Sequence, residues 1–305
     1  MATHSAGISR RDVLRLGAAA ALGPGFARAA DPDDDPPDLL IGYSEFRTDL
    51  PGGRYVNEAT RRAVVVKADG TGRRTLAEEL SHAYSLAFAL HYVAMLYLYR
   101  REACVALEWA EAAMALSRQH GMAQWLTGGM FMRGWALAEQ GAIEEGIVQL
   151  QQAQAAWQAL GTGLGQAHLA VRLAEAYGKG GQAEVGLRVL AQALDTVHSN
   201  AEHYYEAELY RVKGELLLRQ AADREMVRTV SAEAEACFQQ AFDVARQQRA
   251  TSLQLRALLS LSRLWQQQGQ QAAAHRLLAE TYGWFTEGFD TRDLQEAQAL
   301  LEGLA

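Results

Sequence analysis

Two histidines and two glutamates sit close together in this chain, at His198, His203, Glu206 and Glu208. Imidazoles and carboxylates at such short spacing are the raw material of a metal site. Here the histidines flank an expected turn between helices, so they read as solvated loop residues and no metal is assigned to them. His82 and His91, nine positions apart, make an equally weak pair. Gly70-Thr71-Gly72-Arg73-Arg74-Thr75 gathers glycines and hydroxyls, but a phosphate loop needs Gly-x-x-x-x-Gly-Lys-Ser/Thr, and both the spacing and the lysine are missing. No Ser, His and Asp fall in a turn context that would present a nucleophile. Cys104 and Cys237 lie on different expected helices and read as small buried apolar residues. The expectation is a chain with no catalytic residue, no cofactor and no metal.

The elements carry a clearer signal than the chemistry. Alanine or glycine recurs at Ala106, Gly146, Gly186, Ala234 and Ala274, in steps of 40, 40, 48 and 40 residues. A second lattice, Ala94, Gly134, Ala174, Gly214 and Ser262, runs in phase twelve residues upstream, or twenty where the fourth unit carries eight extra residues. Helix breaks fall at Gly121, Gly141, Gly161, Gly180-Gly181 and Gly269. Each unit is therefore a helix pair pinched where two backbones cross. Large residues follow the second small position by four: Leu150, Leu190, Phe238 and Leu278, with Ala110 in the first unit. The eight extra residues, around Ala221 to Val230, are expected in a loop, because insertions in repeat arrays go there. A last helix, 292 to 304, is expected to cap the array. The first helix, from Leu86 to Tyr99, is apolar nearly all round, so either the β-rich segment ahead of it serves as a cap or the array has an exposed end that could pair two copies of the chain.

This is the tetratricopeptide pattern, stretched from about 34 to 40 residues. The expected fold is an all-α solenoid of about five helix pairs over residues 82–305, with a capping helix and a short β-rich segment ahead of it. In tetratricopeptide arrays the first helix of each pair lines the concave face. Repeat one then presents Phe88, His91, Met95 and Tyr99, and repeat two Gly128, Phe131, Trp135 and Glu139. Repeat three presents His168, Val171, Glu175 and Lys179; repeat four Glu208, Arg211, Glu215 and Arg219; repeat five Arg256, Leu259, Arg263 and Gln267. This groove grades from aromatic to charged. It would suit a peptide or protein with one apolar and one acidic end, held by Phe131 and Trp135 as anchors and by the arginines as carboxylate forks. The glutamates could equally pair with those arginines and leave a self-satisfied wall.

The N-terminal part reads differently. Ser9-Arg10-Arg11 precedes a weakly apolar run and Ala27-Arg28-Ala29, and this resembles a twin-arginine export signal over residues 1–30. The signal implies a periplasmic protein if it is used and a cytoplasmic one otherwise. Residues 31–38 form an acidic, proline-rich linker. Residues 39–80 hold two or three short β runs, of which Val65 to Leu76 resembles one strand-turn unit of a Tol-type β-propeller. With 305 residues, net charge −7 and acids and bases interleaved, no basic stripe is available to a nucleic acid. Apart from the alanine-rich run near the start, no apolar stretch approaches the ~20 residues that span a bilayer.

Arg133-Gly134-Trp135-Ala136-Leu137-Ala138, Leu173-Ala174-Glu175-Ala176-Tyr177 and, above all, Tyr282-Gly283-Trp284-Phe285-Thr286-Glu287-Gly288-Phe289-Asp290-Thr291 resemble the C-terminal tetratricopeptide region of bacterial nucleotide cyclase–ATPase signalling proteins. That resemblance covers about 81–305 and implies a regulatory tail. It implies no cyclase or ATPase activity, since the catalytic domains lie outside the resembling region.

Overall fold

A computed structural model describes residues 40–46, 61–67, 74–75, 83–161, 165–200, 203–220 and 224–304. The expected signal and linker, and most of the segment between the β runs, lie outside the described residues. Three short strands, β1 (Leu40–Phe46), β2 (Arg61–Lys67) and β3 (Arg74–Thr75), form an antiparallel sheet in that order. Leu40 pairs with Lys67 and Phe46 with Arg61. The β-branched run Val64-Val65-Val66 suits this extended, pleated backbone.

Eleven helices follow among the described residues: α1 (Ala83–Tyr99), α2 (Ala103–Gln119), α3 (Ala123–Glu139), α4 (Ile143–Ala159), α5 (Gln166–Lys179), α6 (Ala183–Asn200), α7 (Glu206–Gln220), α8 (Arg224–Gln247), α9 (Thr251–Gln267), α10 (Gln271–Tyr282) and α11 (Arg292–Leu304). Consecutive helices pack as antiparallel neighbours, α3 on α4, α5 on α6, α7 on α8 and α9 on α10, in an all-α tetratricopeptide solenoid. The small residues sit where the two helices of a pair touch. A Cβ on Gly146 would stand 2.7 Å from the Gly134 carbonyl oxygen, one on Gly186 3.0 Å from that of Ala174, and one on Gly214 3.0 Å from that of Ala234. Leu150, Leu190, Phe238 and Leu278 fill the space beside these crossings and are at most 1% exposed. α11 caps the end by placing Leu294 and Ala297 against Leu258, Leu261 and Leu278.

Two expectations change. From Arg224 the insertion is helical instead of a loop, since α8 begins there; residues 221–223 lie outside the described residues. No Gly or Pro interrupts 221–233, so continuing the helix satisfies backbone groups that a loop would leave to water. Cys104 is exposed and Cys237 half-buried, because Cys104 lies in the first turn of α2 and Cys237 at the edge of the buried stripe of α8. α1, apolar nearly all round, buries only the stripe Ala87, His91, Ala94 and Leu98 and leaves Tyr84 and Phe88 exposed, in line with the exposed end expected of it. Among the described residues, no helix is long and apolar enough to cross a membrane.

Candidate functional site: an arginine-lined concave cavity

The first helices of the repeats bring their inward residues to one cavity of about 140 Å³. Its walls are Trp135 and Glu139 of α3, Glu175 and Lys179 of α5, Arg211, Glu215 and Arg219 of α7, Arg256, Ser260 and Arg263 of α9, and Asp293 and Glu296 of α11. Residues four apart on a helix share a face, so each helix contributes one rung and its neighbour the next. Ten of the twenty residues expected on the concave face line this cavity, Leu259 among them, and none of the four expected from α1 does. Phe131, His168 and Glu208 do not, and are 3%, 3% and 1% exposed.

Inside, charge meets charge at short range. Arg211 donates Nε to Glu208 Oε1 at 2.7 Å, Nη1 to Glu215 Oε1 at 2.6 Å and Nη2 to Glu175 Oε1 at 3.0 Å. Arg172 donates to Glu175 Oε2 at 2.8 Å and to the Tyr205 hydroxyl at 2.6 Å, with its guanidinium 6.0 Å from the Trp135 ring centroid. Arg256 donates Nε to Asp293 Oδ2 at 2.6 Å and lies 3.7 Å from Glu208. Arg263 pairs with Glu296 and Lys179 with Glu139. Burial alone would raise the Glu208 carboxyl, but Arg211 and Arg256 outweigh it and hold it down at about 2. Burial, reinforced by the Arg172 charge, keeps His168 well below its ordinary value and hence neutral; Tyr99 stacks on it at 5.4 Å. Burial also pushes the Tyr205 phenol up to about 12, against the pull of Arg172.

The wall of mutually paired glutamates and arginines is thus what the inner face contains. The aromatic anchors are not available on its surface: Phe131 packs edge-on against His168 at 4.9 Å, and Trp135 is 2% exposed. The wrap of the array brings α3, α5 and α7 close enough to bury that end.

No protein-family model matches the chain, and no curated protein matches it. It is similar to solved repeat proteins at low identity. A kinesin-light-chain-type protein of Podosopora anserina with nearly identical TPR-like repeats shares 18% identity over 66% of this chain and 95% of its own, with a TM-score of 0.45. BtubC from P. vanneervenii shares 14% over 75% and 82%, at 0.46. The TPR2AB domain of yeast Sti1, in complex with pHSP90, shares 13% over 72% and 85%, at 0.34. The solenoid assignment rests on the helix pairing and small-residue crossings described above.

Four charged cavity residues escape a reading of repeat positions. Arg172 lies one position off the inward set, and Asp293 and Glu296 belong to the capping helix. Arg101 occupies the turn after α1, where its register mates Gly141 and Gly181 adopt φ of 95° and 73° and Arg101 itself adopts 62°. A non-glycine residue there is strained by about 1 kcal/mol or more. Its side chain donates to Asp293 at 3.0 Å and to Glu296 at 2.9 Å. An arginine at a glycine position of the repeat was the available signal. The Tyr282–Thr291 run, for its part, joins α10 to α11: Thr291 Oγ1 donates to the Gly288 carbonyl at 2.6 Å, and Asp290 accepts from Arg100 at 2.9 Å. His198 and His203 both approach Glu206, at 3.4 and 2.8 Å. Among the described residues, no three His, Cys, Asp or Glu side chains are grouped to hold a metal ion.

Proposed function

We propose that the protein is a non-catalytic binding module that recognises an acidic segment of a protein or peptide partner at the mouth of the concave cavity. The observation that carries this is the cavity's charge. Seven cationic side chains line it (Arg101, Arg172, Lys179, Arg211, Arg219, Arg256 and Arg263) against five carboxylates (Glu139, Glu175, Glu215, Asp293 and Glu296). Buried guanidiniums such as Arg211 are consumed by structure, so recognition falls to the exposed members, Lys179, Arg219 and Arg263. Such a site gives orientation and salt-dependent association more than raw affinity.

The test is selection of displayed random peptides on the full chain, with the double variant Arg219→Glu, Arg263→Glu as comparator. Enrichment of acidic peptides by the native chain and its loss in the variant supports the reading. The same peptides selected by both proteins would remove the concave face from consideration. The resemblance to cyclase–ATPase tails makes such capture a natural regulatory role, in which the partner reports to an enzyme.

A further inference from the structure

We infer that the helical array closes on itself at an openable seam: the turn after α1 and the capping helix α11 are latched by ion pairs, and release of that latch opens the concave cavity along one side. The inference goes beyond the binding reading above and does not depend on it. Repeats of a solenoid touch only their neighbours, so stacking by itself does not bring the first repeat to the last. Here they meet. Arg100 donates Nη2 to Oδ2 of Asp290 at 2.9 Å, and Arg101 donates Nη1 to Oδ1 of Asp293 at 3.0 Å and to Oε1 of Glu296 at 2.9 Å. Beside them Arg256 of α9 donates Nη2 to the Tyr99 carbonyl oxygen at 2.9 Å. Arg101, Asp293 and Glu296 all line the cavity, so the seam is one of its walls.

The other joints of the array are apolar. One buried cluster runs from Ala94 to Tyr177, a second from Ala167 to Leu216 and a third from Ala234 to Ala297, and they join the successive repeats and the cap. Among the described residues, no such cluster joins α1 or α2 to α9, α10 or α11. The latch pairs are also open to water, with the Asp290 side chain 62% and that of Arg101 31% exposed. Pairs of this kind are individually weak and are screened by salt, whereas apolar joints are not.

The latch is ionic at neutral pH. The Arg100 hydrogen bond holds the Asp290 carboxyl below its ordinary range. Burial would raise Asp293 and Glu296, but Arg256 and Arg101 pull down the first, and Arg263 and Arg101 the second. Backbone strain sits at the same place. Arg101 takes a φ of 62° where Gly141 and Gly181 hold the matching turns, so the strained residue is the one that makes two of the three latch pairs, a placement typical of elements that switch. Small rotations at successive repeat interfaces add up around the array, which lets the seam part while each apolar joint stays closed.

The experiment measures the distance across the seam in the full chain by pulsed electron spin resonance. One nitroxide goes on Cys104, exposed just beyond the turn, and one on Ala299→Cys on the exposed side of α11, with Cys237→Ser to leave two labels. At ~10 mM salt, where the Debye length is about 30 Å, a single short distance is expected; at ~1 M, where it is about 3 Å, a longer one should take over. The double variant Arg100→Gln, Arg101→Gln removes the three latch pairs and leaves Arg256–Asp293 and Arg263–Glu296 in place, so it should show the longer distance already at low salt. Helix content, read by far-UV circular dichroism, should stay the same throughout. A distance unmoved by salt and by the double variant overturns the inference. So does a lengthening that comes only with loss of helix, which is unfolding and not a seam. Failure of the binding reading shows elsewhere, as no enrichment of displayed peptides, and leaves these distances as they are.

Discussion

Arg101, in the turn after α1, donates Nη1 to Oδ1 of Asp293 in α11 at 3.0 Å, across 192 positions of sequence. Asp293 also accepts from Arg256 at 2.6 Å, so one carboxylate ties the first repeat, the fifth repeat and the cap. Burial would raise the Asp293 carboxyl, but Arg256 and Arg101 together pull it below its ordinary value. The inner wall is therefore fastened at both ends of the array by ion pairs as well as by apolar stacking.

Asp293→Asn should destabilise the protein by about 1–3 kcal/mol, because it leaves the well-buried Arg256 short of its closest partner. Arg101→Gly should cost far less. It removes two pairs whose shared arginine is 31% exposed, worth ~0–1 kcal/mol each, while relieving left-handed strain of about 1 kcal/mol or more. Urea unfolding of the two variants separates these cases. Equal losses would mean that the turn carries no strain.

Gly146→Ala should destabilise by about 1–3 kcal/mol or more, since the new methyl would meet the Gly134 carbonyl at 2.7 Å and the Ala138 nitrogen at 2.8 Å, neither of which can move alone. Gly303→Ala, in α11, meets nothing nearer than 3.9 Å and should stabilise by roughly 0.5–1 kcal/mol through helix propensity. Thermal midpoints moving in the same direction would refute the assignment of Gly146 to a helix crossing.

Charge reversal at two cavity arginines should have opposite consequences for the fold. Arg211→Glu places a fourth carboxylate among Glu175, Glu208 and Glu215 and should cost about 3–5 kcal/mol. Arg263→Glu, at a side chain 45% exposed, should change stability by under ~1 kcal/mol. Denaturant midpoints decide it, and similar small shifts for both would show that the network around Arg211 is loosely held.

Repeat register was legible because close backbone approach admits only Gly, Ala or Ser, and five such sites at one period leave a plain trace. The inward residues follow from the same register, which is why the sequence alone places Glu175, Arg211 and Arg256 on the concave face. The partners they chose could not. Arg211 takes Glu175 from the previous repeat and two glutamates from its own helix, a choice set by superhelical wrap that no residue encodes alone. The burial of Phe131 and Trp135 has the same origin. Asp293 and Glu296 fall outside the repeat altogether, so register is silent about them. The helical extension of α8 follows from the helix propensity of a segment without Gly or Pro, which the length of an insertion does not reveal.

Two histidines predict how stability responds to acid. His91 is packed over Gly128 and beside Trp125, its Nδ1 has no acceptor, and burial lowers it from 6.5 to about 4. His168 is shifted in the same direction. The unfolded imidazole therefore takes a proton more readily than the native one. Its contribution is complete above about pH 6.5 and is lost as pH falls through 4. For His91 alone the shift corresponds to about 3 kcal/mol. Glu208, held at about 2 against an ordinary value of 4.5, adds a loss that begins as pH falls through about 5, where the unfolded carboxyl starts to protonate, and continues down to about 2. Urea midpoints measured from pH 7 to 4 should fall steadily in the native chain and less steeply in His91→Leu, which keeps the bulk and removes the proton site. A slope as steep in the variant as in the native chain would assign the acid sensitivity to other groups and show that His91 is accessible to protons in the folded state.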